Sequence, residues 1–138
     1  MPQPYLLIAV LLALPVGTQV PSVGEKERRT LAQQKINSQI LYEIYRLRGE
    51  AERNAVPPGP TGVKIDARGR ALVDIRAVPA PALQNRIRRG GGVVLSTSAR
   101  GRSIIARVPL LALETLAADP AVRFIEPAAE AITERSLQ

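Results

Sequence analysis

Between Leu72 and Ile125 the chain is punctuated by residues that start and stop secondary structure, and their order leaves few folds open. Pro81 suits the first turn of a helix, where its missing N–H costs nothing, and Gly90-Gly91-Gly92 ends that helix. Pro109 opens a second helix and Asp119-Pro120 closes it. Short β-branched runs fill the intervals: Leu72 to Ala77, Val93 to Ser96, Ser103 to Val108 and Val122 to Ile125. In the first of these Val73, Ile75 and Ala77 share one face, with Asp74 and Arg76 on the other. Leu83 and Ile87 face one way on the first helix, as do Leu110, Leu113, Leu116 and Ala117 on the second. The order β, α, β, β, α, β is the split βαβ arrangement of ferredoxin-like domains. It predicts an α+β fold with a four-stranded antiparallel sheet and two helices on one face. The other face is then left to water or to a partner. With Phe124 placed in the core as its one aromatic residue, such a module is expected to be marginally stable.

Upstream, Val63 and Ile65 alternate with Lys64 and Asp66, and Ala67-Arg68-Gly69 turns the chain back toward Leu72, predicting a hairpin. Pro57-Pro58-Gly59-Pro60 breaks any helix before it. From Glu25 to about Asn54 the residues favour an amphipathic helix with Ile36, Ile40, Ile44 and Leu47 in its stripe and Leu31, Leu41 and Tyr45 flanking it. Its apolar side requires a neighbour, which the sequence leaves open as the downstream module, a second copy or a larger partner. Every residue from Leu6 to Leu14 is apolar, followed by Pro15, Gly17 and a small polar run, with the terminal amine as the only positive charge. That reads as an export signal, too short for a permanent span of about 20 residues, with cleavage near Ser22. The expected organisation is a signal over 1–22, a helical spacer over 23–55, a linker over 56–62, the α+β module over 63–127 and a tail over 128–138. The expected location is secreted or periplasmic.

The absence of Cys rules out disulfides and thiolate zinc sites, and the absence of His removes the usual base of serine hydrolases. Asp74, Glu114, Asp119 and Glu126 are possible acids, and Ser96, Ser98 and Ser103 possible nucleophiles, but no spacing singles any of them out. The expectation is a non-catalytic protein with no metal site and no cofactor. The net charge of +7 reads as a solvated basic surface, because the positive residues look spread along the chain. An RNA-binding ferredoxin-like domain is the alternative that charge raises. It is disfavoured because Tyr42 and Tyr45 fall in the upstream helix and Phe124 in the core, leaving no rings to stack bases.

The run Leu72 to Ala77, the Pro-initiated helix ending in Gly90-Gly91-Gly92, Arg102 to Pro109, Leu113 to Ala117, and Val122-Arg123-Phe124-Ile125-Glu126-Pro127 together resemble the pro-region of secreted bacterial subtilisin-like serine peptidases. The likeness spans most of residues 35 to 133. It implies a folding chaperone and temporary inhibitor whose partner is a subtilisin-like protease domain. The open sheet face would pack on two surface helices of the enzyme. The tail of Glu126, Pro127, Ala128, Ala129, Glu130, Ala131, Ile132 and Thr133 would enter the substrate cleft as an added strand. No catalytic domain follows in this chain, so the resemblance implies either a free-standing inhibitor or chaperone acting in trans, or a truncated precursor or gene fragment without a separate role.

Overall fold

The structure, a computed structural model, describes residues 24–130. The expected signal over 1–22 and the tail residues Ala131, Ile132 and Thr133 lie outside the described residues.

Four helices and four strands follow a short 3-10 turn at Lys26–Arg28: α1 (Leu31–Gln34), α2 (Ser38–Arg48), β1 (Arg70–Arg76), α3 (Pro81–Arg89), β2 (Val93–Ser98), β3 (Ser103–Pro109), α4 (Leu113–Ala117) and β4 (Phe124–Pro127). A second 3-10 turn, Leu110–Ala112, leads from β3 into α4. The strands form one antiparallel sheet in the order β2-β3-β1-β4, the ferredoxin-like order expected from the punctuation. β1 lies at its centre, with Ile75 opposite both Ile104 of β3 and Ile125 of β4.

Alternation along the strands builds one core. Ala71, Val73 and Ile75 of β1, Ile104, Ala106 and Val108 of β3 and Ile125 of β4 all point to one side, where they meet Leu83 and Ile87 of α3 and Leu113, Leu116 and Ala117 of α4. At the end of α3 the chain turns sharply through Gly91, whose φ of 88° suits glycine. At Gly92 a Cβ would lie 2.7 Å from Ile87 Cγ2 and 2.9 Å from the Ile87 carbonyl oxygen, so only glycine lets β2 start this close to α3.

The upstream segment departs from the single spacer helix in two ways. It is interrupted, because Thr30 and Gln33 form a capping box for α1 and Asn37 caps α2 by accepting the Gln39 N–H. Between the caps Ile36 is extended and forms a parallel bridge to Ile125. It is also no spacer: Ile36, Ile40, Leu41, Ile44 and Tyr45 join the same core as the sheet. One hydrophobic core therefore crosses the expected boundary between 23–55 and 63–127. The Pro-Gly stretch is tied down as well, since Arg46 donates to the carbonyl oxygens of Pro57 (2.8 Å) and Gly59 (2.7 Å), and Thr61 donates to Glu43 (2.7 Å).

Three further expectations need correction. Leu47 is exposed while Leu41 and Tyr45 are buried. At 100° per residue, Ile40, Leu41, Ile44 and Tyr45 span an arc whose centre lies about 90° from Leu47. The hairpin at Val63 to Ile65 shrinks to one bridge, Ile65 to Ala71, flanked by the Asp66 N–H to Arg70 carbonyl and Leu72 N–H to Lys64 carbonyl hydrogen bonds, while the Asp66 carboxylate closes the turn by accepting the N–H groups of Arg68 and Arg70. Phe124 lies opposite Arg76, on the face away from the core, because Ile125 takes the inward position in β4.

Candidate functional site

With α2, α3 and α4 on one side, the opposite face of the sheet carries Leu72, Asp74 and Arg76 from β1, Ser103, Ile105 and Arg107 from β3, Phe124 and Glu126 from β4, and Leu95 and Ser96 from β2. Leu95 is the extra residue at a bulge between Val94 and Ser96, which puts it beside Ser96 on this outer surface.

The face has two ends of different chemistry. At one end Arg76 bridges two carboxylates, with Nη2 at 2.6 Å from Glu126 Oε1 and 3.3 Å from Asp74 Oδ2, while Ser103 Oγ donates to Asp74 Oδ1 at 2.6 Å. The hydrogen bond to Glu126, then the nearby charge of Asp74, raise the Arg76 guanidinium further above its ordinary pKa. Every member of this cluster faces water or lies near it, so it orients charge and adds little stability.

The other end is apolar. Leu72, Leu95, Ile105 and Ala129, with Ser96, Arg107 and Glu130, line a shallow groove of about 400 Å3, and Leu95 is half exposed. A larger groove of about 610 Å3 between α1 and α4 has Lys35 as its only ionisable lining residue.

The expected cleft-binding tail divides into three parts. Glu126 and Pro127 belong to β4, opposite Asp74 and Val73, and the Ala128 N–H donates to the Leu72 carbonyl oxygen at 3.1 Å, extending the ladder by one residue. The chain leaves the sheet only at Ala129 and Glu130, both exposed, with Glu130 reaching Arg107 at 3.8 Å. Ala131, Ile132 and Thr133 lie outside the described residues. In the free chain, then, Glu126, Pro127 and Ala128 are held in the ladder, and the chain departs from the sheet at Ala129. The groove beside Leu95 was missed in the sequence because the bulge that exposes it leaves no mark in the residue pattern.

The remaining acids and serines have local structural partners. Glu114 pairs with Arg48 and accepts from Gln33, Asp119 pairs with Arg86 and accepts the Ala121 N–H, and Ser98 accepts the Gly101 N–H. Among the described residues no helix is long and apolar enough to cross a membrane. No protein-family model, curated protein or solved structure matches the chain.

Proposed function

We propose that the chain is a non-catalytic protease-binding module of the subtilisin pro-region kind, acting outside the cytoplasm on a subtilisin-like serine protease domain. The carrying observation is the one-sided sheet: helices cover one face, and the other presents a groove with Leu72, Leu95 and Ile105 in its lining, next to the point where the chain leaves the sheet at Ala129. Such a face can dock on a flat helical surface through Leu95 and Ile105. The segment beyond Ala129 then adds to the edge of a substrate cleft by main-chain hydrogen bonds. The run from Leu6 to Leu14 supports export, and the likeness of Arg102 to Pro109 and Val122 to Pro127 to subtilisin pro-regions supports the choice of enzyme.

The test adds the full chain to a subtilisin-like endopeptidase and to its denatured catalytic domain. Micromolar chain is expected to slow peptide hydrolysis and to speed recovery of activity on refolding. Neither effect at that concentration contradicts the proposal.

A further inference from the structure

The excess positive charge is confined to one contiguous unit of the fold. Between Asp74 and Glu114 the chain has seven arginines and no Asp, Glu or Lys, so the remaining 12 basic residues balance the 12 acidic ones and this stretch holds the whole net charge of +7. The stretch runs from the end of β1, which carries Arg76, through α3, β2 and β3, so six of the seven arginines lie on α3, β3 or the turn that joins β2 to β3. Three of the seven meet carboxylates: Arg76 with Asp74 and Glu126, Arg86 with Asp119, and Arg107 with Glu130. The other four, Arg88, Arg89, Arg100 and Arg102, are exposed and pair with no carboxylate among the described residues. Arg88 and Arg89 end α3 just before β2, and Arg100 and Arg102 stand in the turn just after it.

The strand between them is a free edge. The sheet has two outer strands, and the outer side of β4 is closed by Ile36, whose neighbours exchange main-chain hydrogen bonds with Ile125. The outer side of β2 has no such cover among the described residues. β2 contains no Pro, Lys or other charge of the kind that guards natural edges, and its residues are almost all exposed. Its six residues offer an unpaired main-chain row about 20 Å long, interrupted by the bulge at Leu95.

We propose that the outer edge of β2 takes an extended acidic polypeptide segment as a fifth strand, its carboxylates held by Arg88 and Arg89 at one end and by Arg100 and Arg102 at the other. Main-chain pairing supplies the affinity, and arginine forks at both ends select acidic flanks. A second copy of this chain is a poor occupant, because β2 paired with β2 in either direction sets arginines against arginines. A nucleic acid would use the charge but leave the main-chain row unpaired, and no aromatic ring lies on β2 or β3 to stack its bases. The inference is independent of the protease reading, which uses the sheet's open face and the tail.

Two synthetic peptides test it: an end-blocked Glu-Glu-Thr-Val-Thr-Val-Thr-Glu-Glu and the same sequence with Lys in place of Glu. Each is titrated into the isotopically labelled full chain at low ionic strength. The acidic peptide is expected to bind at least about tenfold more tightly than the Lys peptide. It should also protect backbone amides of 93–98 from exchange. The exposed pair of changes Arg88→Glu and Arg100→Glu, with the dispersed spectrum of the folded chain retained, leaves one Arg and one Glu at each end and is expected to abolish the preference. No saturable binding of the acidic peptide up to millimolar concentration overturns the proposal, as does protection elsewhere in the sheet. Stronger effects on 93–98 from a single-stranded oligoribonucleotide, or a dimer in sedimentation with 93–98 protected in the absence of peptide, also overturn it.

Discussion

Ile36 lies beside Ile125 as a parallel bridge, with the Ile125 N–H donating to the Lys35 carbonyl oxygen at 2.7 Å and the Asn37 N–H donating to the Ile125 carbonyl oxygen at 2.9 Å. This pair seals the outer side of β4 and fixes α2 over the sheet, so that the helix and the sheet share one core. A βαββαβ unit that would otherwise be small gains Ile40, Leu41, Ile44 and Tyr45 as core side chains. Each contributes about 1.5–3 kcal/mol of burial relative to exposure.

Ile40→Ala is therefore expected to lower unfolding stability by about 2–5 kcal/mol, as for other buried large-to-small changes. Urea unfolding followed by circular dichroism measures it. A change within about 0.5 kcal/mol, the usual range for surface positions, would mean that α2 is a detached spacer.

Gly92→Ala is expected to cost about 1–3 kcal/mol, because the new methyl group meets Ile87 Cγ2 and two backbone carbonyl oxygens at once. The neighbouring Gly90 has ordinary spacing, its closest approach being 3.4 Å to the Arg86 carbonyl oxygen, so Gly90→Ala is the comparison that should change the same midpoint less.

Stability should fall at both ends of the pH scale through one buried contact. Tyr45 donates to Glu25 at 2.9 Å, and Arg29 donates to the same carboxylate at 2.7 Å. Burial opposes ionisation of Glu25, but these two hydrogen bonds together with the charges of Arg29 and Lys26 outweigh it and hold the carboxyl below its ordinary 4.5. A lowered folded pKa gives stabilisation that is complete above the unfolded value and is lost as pH falls through the folded one. Tyr45 shifts the other way, pushed up to about 12 by burial first and by the bond to Glu25 second. Its contribution is complete below pH 10.0 and is lost as pH rises through about 12. Thermal midpoints against pH are expected to lose the acid dependence of this contact in Glu25→Gln and the alkaline one in Tyr45→Phe.

Much of the fold was legible because its signals are local. Pro81, Gly90-Gly91-Gly92 and Pro109 act on their own backbone, and the alternation of Val73 with Asp74 and of Ile104 with Ile105 is set by the strand itself. What escaped depended on distant partners. Phe124 and Ile125 are both apolar neighbours in a strand of four residues, so only the pairing of Ile125 with Ile75 and Ile36 decides which faces inward. Leu47 lost its place in the stripe because the surface that α2 packs on is centred nearer Leu41. That Ala128 still belongs to the ladder depends on its bond to Leu72, a residue 56 positions earlier. The segregation of charge between Asp74 and Glu114 is present in the sequence itself; what needed the fold is that β2, with arginines before and after it, is an outer strand of the sheet.

Leu95→Glu separates docking from folding. The side chain is half exposed and outside the core, so stability is expected to stay within about 0.5 kcal/mol of the parent. Inhibition of the subtilisin-like enzyme is expected to weaken by about tenfold or more, because a charged carboxylate replaces the apolar side chain at the docking surface and must be desolvated there. An inhibition constant unchanged by this substitution would remove Leu95 from the docking surface.

The most direct measurement is a map of which amides of the full chain respond when a catalytically inactivated subtilisin-like domain is added to the isotopically labelled protein. Signals of Leu72, Asp74, Leu95, Ile105, Arg107, Ala129 and Glu130 are expected to shift or broaden together, while those of Leu83, Ile87, Leu113 and Leu116 in α3 and α4 keep their positions. A spectrum unaltered by the enzyme, or one in which the helical side responds and the bare side of the sheet does not, contradicts the proposed docking.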